Sequence, residues 1–317
     1  ASRRSLLAAA ALGLGAVTPL SVAGRDRKPV GCKAREAYVG GPLHYVVPDE
    51  VFAQATAAGK SRLHLAIQDR IDDAFDRLAP HGGSALVAGA IAGADGALWN
   101  QVRGAPRGAE PTRFIWPGLR DLCLTTAVIQ AAEEGKLSLE DRLTRWAPQT
   151  PGAGAIKVED LMSHTSGLTG AAPAFCPGAN WAASDADTAL LASVLKAADG
   201  KSLGECLQAR IADRLSLEET VFLSPAQDLP GLARPTGYVI ADAEPAASAP
   251  DVLRIWRGLM AGRLHGETSV HSRYYRLYPV TAQPGAFSGQ GVMAFDRPGD
   301  LWLGRSGGAA GGPSALV

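Results

Sequence analysis

The sequence predicts an α+β fold, with an antiparallel sheet formed from both chain ends and an all-helical insert region between them. Three observations carry this reading. GGSALVAGAIAGADGALWNQVRG holds two strand-like runs around Ala94-Asp95-Gly96, a hairpin signal. The long middle of the chain carries apolar residues mostly at helical spacing. Strand-like runs return at the far end, in GQGVMAFD and LWLGRSGG…SALV.

Each element has its own local signal. Leu63, Leu65, Ile67, Ile71, Phe75 and Leu78 repeat at helical spacing and predict a helix over 63–80. After the hairpin, Leu119–Glu134 reads as a helix closed by Gly135 just past its end. Ser138-Leu139-Glu140-Asp141 predicts a further short helix with a cap-like serine. SDADTALLASVLKAADGKSLGECLQARIADRL reads as two helices parted at Gly200, with Ser202 and Glu205 spaced as a capping box. APDVLRIWRGLMAGRL is a further helix.

Composition bounds the class. The chain has 317 residues, of which 46% are hydrophobic and 20% charged, as in soluble globular proteins. Its formal net charge of +0 argues against nucleic-acid and anionic-membrane partners. ASRRSLLAAAALGLGAVTPLSVAG, residues 1–24, reads as a secretory signal, and Arg3-Arg4 gives it the look of the twin-arginine type. Its apolar run is too short and glycine-rich for a membrane span, so none is expected in the mature chain. The expected location is therefore periplasmic or extracellular. Residues 25–62 read as linker or irregular structure, and 63–317 as one domain. The chain starts without Met and stops inside PSALV, which reads as a domain truncated at its C-terminus.

An oxidising compartment permits disulfides among the four cysteines. Cys32 and Cys176 fall in loops and are the expected pair. Cys123 and Cys206 fall on helix faces, as buried apolar residues do. No CxxC spacing occurs, and neither a metal site nor a cofactor is expected.

Several segments carry a resemblance. They are EEGKLSLEDRLTRWAP (133–148), IKVEDLMSHTSGL (156–168), CPGANW with GKSLGECLQARIADRLSLEETVF (within 176–222), and SAPDVLRIWRGLMAGRLH (248–265). Taken together from Leu63 to Val317, the chain resembles the serine β-lactamase and penicillin-binding-protein-like family, on its class C and esterase branch. The resemblance implies the β-lactamase/transpeptidase-like fold and a cleft with three catalytic motifs. The first is Ser-x-x-Lys at a helix start, where the spacing puts both side chains on one face so that lysine takes the serine's proton. Those positions hold Gly118 and Asp121. The second, Tyr-x-Asn, falls on Ala183-Ser184-Asp185. The third, Lys-x-Gly or His-x-Gly, falls on Arg305-Ser306-Gly307, which keeps a cation and the glycine. Asp121, Asp185 and Arg305 are expected to converge on the cleft, with Arg305 paired to Asp121 so that neither charge is stranded.

No replacement motif stands out. Ser193-Val194-Leu195-Lys196 has the first motif's spacing but reads as chance on a packed helix. His81-Gly82-Gly83 reads as a turn. No Tyr-x-Asn, G-x-S-x-G, H-E-x-x-H or Walker loop occurs. His164 and Ser166 are expected to fix a turn, and Trp116-Pro117 to fill cleft space. Ser184 and Ser306 are the hydroxyls expected to line the cleft, without a base in place. The functional expectation is a catalytically degraded homologue with a binding or scaffolding role in the envelope. Its expected ligand in the old cleft is a small molecule or a peptidoglycan-type fragment, either of which it would bind or sense. The alternative is an active hydrolase of esters, D-amino-acid peptides or β-lactams with a rearranged site. Oligomeric state is left open.

Overall fold

The computed structural model describes residues 65–78, 87–92, 98–104, 112–170, 173–225, 227–234, 238–266, 277–280, 285–297, 300–309 and 312–316. The leader, the 25–62 linker, Cys32, His81 and the Ala94-Asp95-Gly96 turn lie outside the described residues.

Helix α1 (Leu65–Leu78) turns Phe75 toward the hairpin of β1 (Val87–Ala92) and β2 (Leu98–Arg103). The Phe75 and Trp99 rings meet edge to face at 5.1 Å. Trp99 Nε1 donates to Asp72 Oδ1 at 2.9 Å, so the buried indole keeps its hydrogen bond. After β3 (Arg113–Ile115) comes α2 (Leu119–Glu133), buried on almost every side. A helix so enclosed needs no polar stripe, and its sequence LCLTTAVIQAA has none. It ends in a Schellman motif. Gly135 takes φ 73, its N–H reaches Ala132 O, and Lys136 N–H reaches Ala131 O.

The helix expected at Ser138 is a turn instead. Asp141 Oδ2 accepts from Ser138 N at 3.0 Å, and the chain then passes to a short 3-10 turn, Leu143–Arg145. The cause is pairing with a distant segment. Leu143 N donates to Ile156 O and Val158 N to Asp141 O, so these backbone groups serve a bridge between Arg142 and Lys157 rather than a helix.

The helical region continues with α3 (Val158–Met162), α4 (Asp185–Asp199), α5 (Leu203–Leu207), a π-helical turn (Gln208–Ala212) and α6 (Asp213–Leu215). Gly200 ends α4 in the left-handed conformation, and Ser202 with Glu205 forms the capping box of α5. Arg210, on the π-helical turn, binds two helix ends at once. It meets Glu134 through Nη1 and Nη2 at 2.8 Å each, and Asp199 through Nε and Nη2 at 2.8 and 2.7 Å. Hydrogen bonds from Arg210 hold Glu134 down to about 2 and Asp199 well below the usual carboxylate range.

Two further sheets flank this region. One has the order β4 (Thr220–Leu223), β6 (Glu244–Ala247), β3, β5 (Leu232–Ala233). Helix α7 (Ala249–Met260) follows, capped by Ser248, whose Oγ accepts from Asp251 N. The other sheet is an antiparallel meander of β7 (Tyr278–Pro279), β8 (Ala286–Ser288), β9 (Met293–Arg297), β10 (Asp300–Ala309) and β11 (Gly312–Leu316). The α+β class stands, but the make-up of the sheet differs from expectation. Among the described residues β1 and β2 pair only with each other, and the C-terminal strands form their own sheet. Alternation and turn signals specify pairing between sequence neighbours, whereas the joining of two hairpins depends on distant packing.

Cys123 and Cys206 are buried thiols outside any disulfide, as their helix positions predict, and burial pushes the Cys206 thiol up to about 11. Cys176 is disulfide-bonded. No helix among the described residues is long and apolar enough to cross a membrane.

Replacing Arg210 with alanine leaves Asp199, 4% exposed at its side chain, without its guanidinium. Lys136 stays on Asp199 at 2.9 Å, so the expected loss is about 2–3 kcal/mol by urea unfolding at neutral pH, below that of a fully stranded charge. Arg210→Lys recovers only part of it, because an ammonium does not span both carboxylates.

Candidate functional site

The site is built where α2 begins. Trp116-Pro117-Gly118 joins β3 to the helix, with Trp116 Nε1 anchored on Ala247 O at 2.9 Å. Gly118 stands at the N-cap with φ 90 and ψ −20 and offers no capping side chain. Across from it runs β10. A Cβ on Gly307 would overlap the Pro117 carbonyl and the Gly118 nitrogen, so strand and helix entry are in direct backbone contact. Glycine is required twice here, at 118 for its left-handed φ and at 307 for close approach.

Arg305 lies two residues before Gly307 on β10, hence on the same face. Its Nη2 donates to Asp121 Oδ2 at 2.5 Å, and Thr188 Oγ1 donates to Asp121 Oδ1 at 2.9 Å. The pair is largely enclosed, with side-chain exposures of 9% for Arg305 and 22% for Asp121. Burial by itself would raise the Asp121 carboxyl. The Arg305 guanidinium, His164 and Thr188 together outweigh it and hold the group far below the usual range.

His164 extends the chain of charges. Its Nε2 is 3.8 Å from Asp121 Oδ2 and its Nδ1 is 3.7 Å from Asp187 Oδ2. Asp187 is fully buried, and its Oδ1 accepts from Ser166 Oγ at 2.5 Å. Ser166 Oγ in turn accepts from Leu168 N at 2.9 Å. The loop holding these groups is pinned by backbone. Thr165 O accepts from Gly178 N, and His164 O accepts from Ala182 N. Gly167, at φ 85, lies against the Phe175 carbonyl with no room for a Cβ. Burial raises Asp160, whose backbone carbonyl anchors Thr165, to about 6.

The expected site residues divide. Gly118, Asp121, Arg305 and Gly307 come together. Ala183 and Asp185 do not, since both are exposed. Ser184 caps α4, accepting from Asp187 N and donating to Leu168 O, which puts Asp185 at the outward first position of the helix. The acid that reaches the network is Asp187, not Asp185, as one turn of helix geometry dictates. A signal for it was present. Asp187, Thr188, Leu191 and Leu195 share a helical face in the sequence, and all four are buried. His164 does more than fix a turn, because it stands between two carboxylates. The Ser193–Lys196 spacing lies on the solvent face of α4 rather than on a packed one.

A buried acid absent from the sequence reading lies on the other flank. Glu244, 2% exposed, accepts from Tyr238 Oη at 3.1 Å, and burial raises both groups. It sits on β6, whose Ala246 pairs with Ile115. No local pattern in Glu244-Pro245-Ala246-Ala247 marks it as buried.

Chemically, the arrangement holds charge in place. Position 118 has no side-chain atom to attack with. Ser166 and Ser184 are buried, and their hydroxyl protons are committed to Asp187 and to Leu168 O.

Residues 123–317 match the family model described as Beta-lactamase, and the chain belongs to this family of serine hydrolases. The matched span begins two residues after Asp121. The curated relatives it matches are aligned over only a small share of their length. Protein Rv1367c of Mycobacterium tuberculosis is 39% identical over 59 residues, 13% of this chain and 15% of that one. Among solved structures, D-stereospecific amidohydrolase from Streptomyces sp. is 20% identical, with 83% of this chain and 88% of that chain covered at TM-score 0.62. D-amino acid amidase from Ochrobactrum anthropi SV3 complexed with L-phenylalanine amide is 17% identical, with 77% and 83% covered at TM-score 0.64. At these identities the likeness to the solved structures is one of fold.

Asp121 titrates below its ordinary 3.8, so its stabilisation is present above that value and is lost as pH falls through the folded one. Arg305→Ala is expected to cost roughly 2–4 kcal/mol at neutral pH, somewhat below a fully buried pair. The cost shrinks as the medium is acidified toward about pH 2, because Asp121 is then protonated in the unfolded chain. Urea midpoints of both proteins across that range check it.

Proposed function

We propose that this chain is a non-acylating member of its family, one that binds a ligand in the cleft without cleaving it. The observation that carries the reading is Gly118. It occupies the start of α2, where the family resemblance places the attacking serine, and its backbone has adopted a left-handed conformation that a serine resists. Asp121, where the lysine base is expected, is committed to Arg305 and Thr188, and Gly118 offers it no serine hydroxyl to deprotonate.

The ligand class follows from charge. A carboxylate-bearing β-lactam would meet Asp121, with Arg305 only partly offsetting the repulsion. A neutral or cationic polar small molecule, or a peptidoglycan-type fragment with a free amine, suits the cleft better. The secretory leader expected from residues 1–24 supports a periplasmic or extracellular place of action.

The test is intact-protein mass after incubation of the folded chain with a fluorescent penicillin and with an activated ester phosphonate. The expected outcome is an unchanged mass with both. A stoichiometric adduct would overturn the reading in favour of an active hydrolase with a rearranged site, and peptide mapping would locate its nucleophile. Gly118→Ser alone is also expected to remain unlabelled, because the base is absent and the backbone there disfavours a side chain.

A further inference from the structure

His164 is enclosed in a way that a turn residue does not require. It is 6% exposed and holds a positive φ of 55, a conformation that non-glycine residues adopt only when their surroundings impose it. Its two ring nitrogens face two carboxylates on different helices, Asp121 on α2 and Asp187 on α4, at 3.8 and 3.7 Å. Nδ1 and Asp187 Oδ2 are both buried without a hydrogen-bond partner, and they face each other just beyond bonding range.

The charged and titratable groups around the imidazole come from every element packed on it. Asp121 comes from α2, Asp187 from α4, Arg305 from β10, and Asp160 from α3 through its contact with Thr165. With the ring protonated, Arg305, Asp121, His164 and Asp187 alternate in sign and sum to zero. With the ring neutral, Asp187 is left as a buried carboxylate supported by the Ser166 hydroxyl, which is costly in a dry interior.

We propose that His164 is a proton-operated latch: its imidazolium ties α4 and the 163–168 loop, through Asp121, to the Arg305-bearing strand of the C-terminal sheet, and loss of the proton loosens that junction. The latch does not depend on whether the cleft binds a ligand. Burial by itself favours the neutral ring, and so does Arg305, but the two carboxylates outweigh both and raise the imidazole above its ordinary 6.5. A folded value above the unfolded one gives stabilisation that is complete below the unfolded value and is lost as pH rises through the folded value. Asp160, at about 6, titrates into the lower end of that window with the same sign, so the part of the profile above about pH 7 is the one that reports His164, while Asp121 titrates in acid.

The experiment uses the full chain from about pH 6 to about pH 9, where histidine linkage falls. It combines urea unfolding midpoints, hydrogen exchange of the β9 and β10 amides corrected for intrinsic rates, and an NMR titration of the His164 ring. The expected result is an imidazole titrating above 6.5. Across it the folding equilibrium constant and the protection of β9 and β10 should fall together, about tenfold for each unit of separation between folded and unfolded values. His164→Gln should flatten both profiles. Asp187→Asn, which keeps the ring and removes one carboxylate, should move the transition to lower pH. A ring titrating at or below 6.5 in the native chain would overturn the latch. So would wild-type and variant profiles that change in parallel. The ring titration needs no variant, so it decides the matter even if a substitution prevents folding.

Discussion

The structure turns on one backbone contact, the approach of β10 to the start of α2. Gly307 lies so close to the Pro117 carbonyl and the Gly118 nitrogen that no side chain fits between them. That contact sets the distance at which Arg305 reaches Asp121, since Arg305 stands two residues from Gly307 and Asp121 three from Gly118. A strand held farther away would leave a buried guanidinium and a buried carboxylate each without its partner. The packing of two glycines and the pairing of two charges are therefore one constraint seen from two sides.

Electrostatics then spread from that junction. Asp121 serves Arg305, Thr188 and His164 together, and His164 passes the alternation on to Asp187 and Ser166. Four elements contribute to a network that has little exposure to water. Such networks add little net stability over an apolar core, but they reject other arrangements strongly, because a small shift strands a charge. This is a physical reason for these four elements to keep their arrangement. The Arg210 cluster does comparable work on the far side of the helical region, clasping the ends of α2 and α4 with one guanidinium.

Local features are legible in the sequence. Gly135 and Gly200 end helices, and Ser202 and Glu205 form their box, each by chemistry that involves only near neighbours. Where a distant partner took over, the local reading failed. Ser138 has a helix-start pattern, yet the 156–158 segment claims the backbone at 141 and 143. Asp185 looked like a cleft residue because a motif was counted along the sequence, and helix rotation carried Asp187 inward instead.

By itself, the sequence determined the α+β class, the helix ends and the absence of a nucleophile at 118, because composition, spacing and residue identity are properties of short segments. It also placed Arg305 and Asp121 at positions that the family resemblance brings together. Only the tertiary structure decided that His164 stands between two carboxylates, that Asp187 rather than Asp185 is buried, and that Glu244 hides beside the helix entry. Those facts depend on which faces meet across the chain, and the free energy of burying a charge is set by the neighbours it meets there.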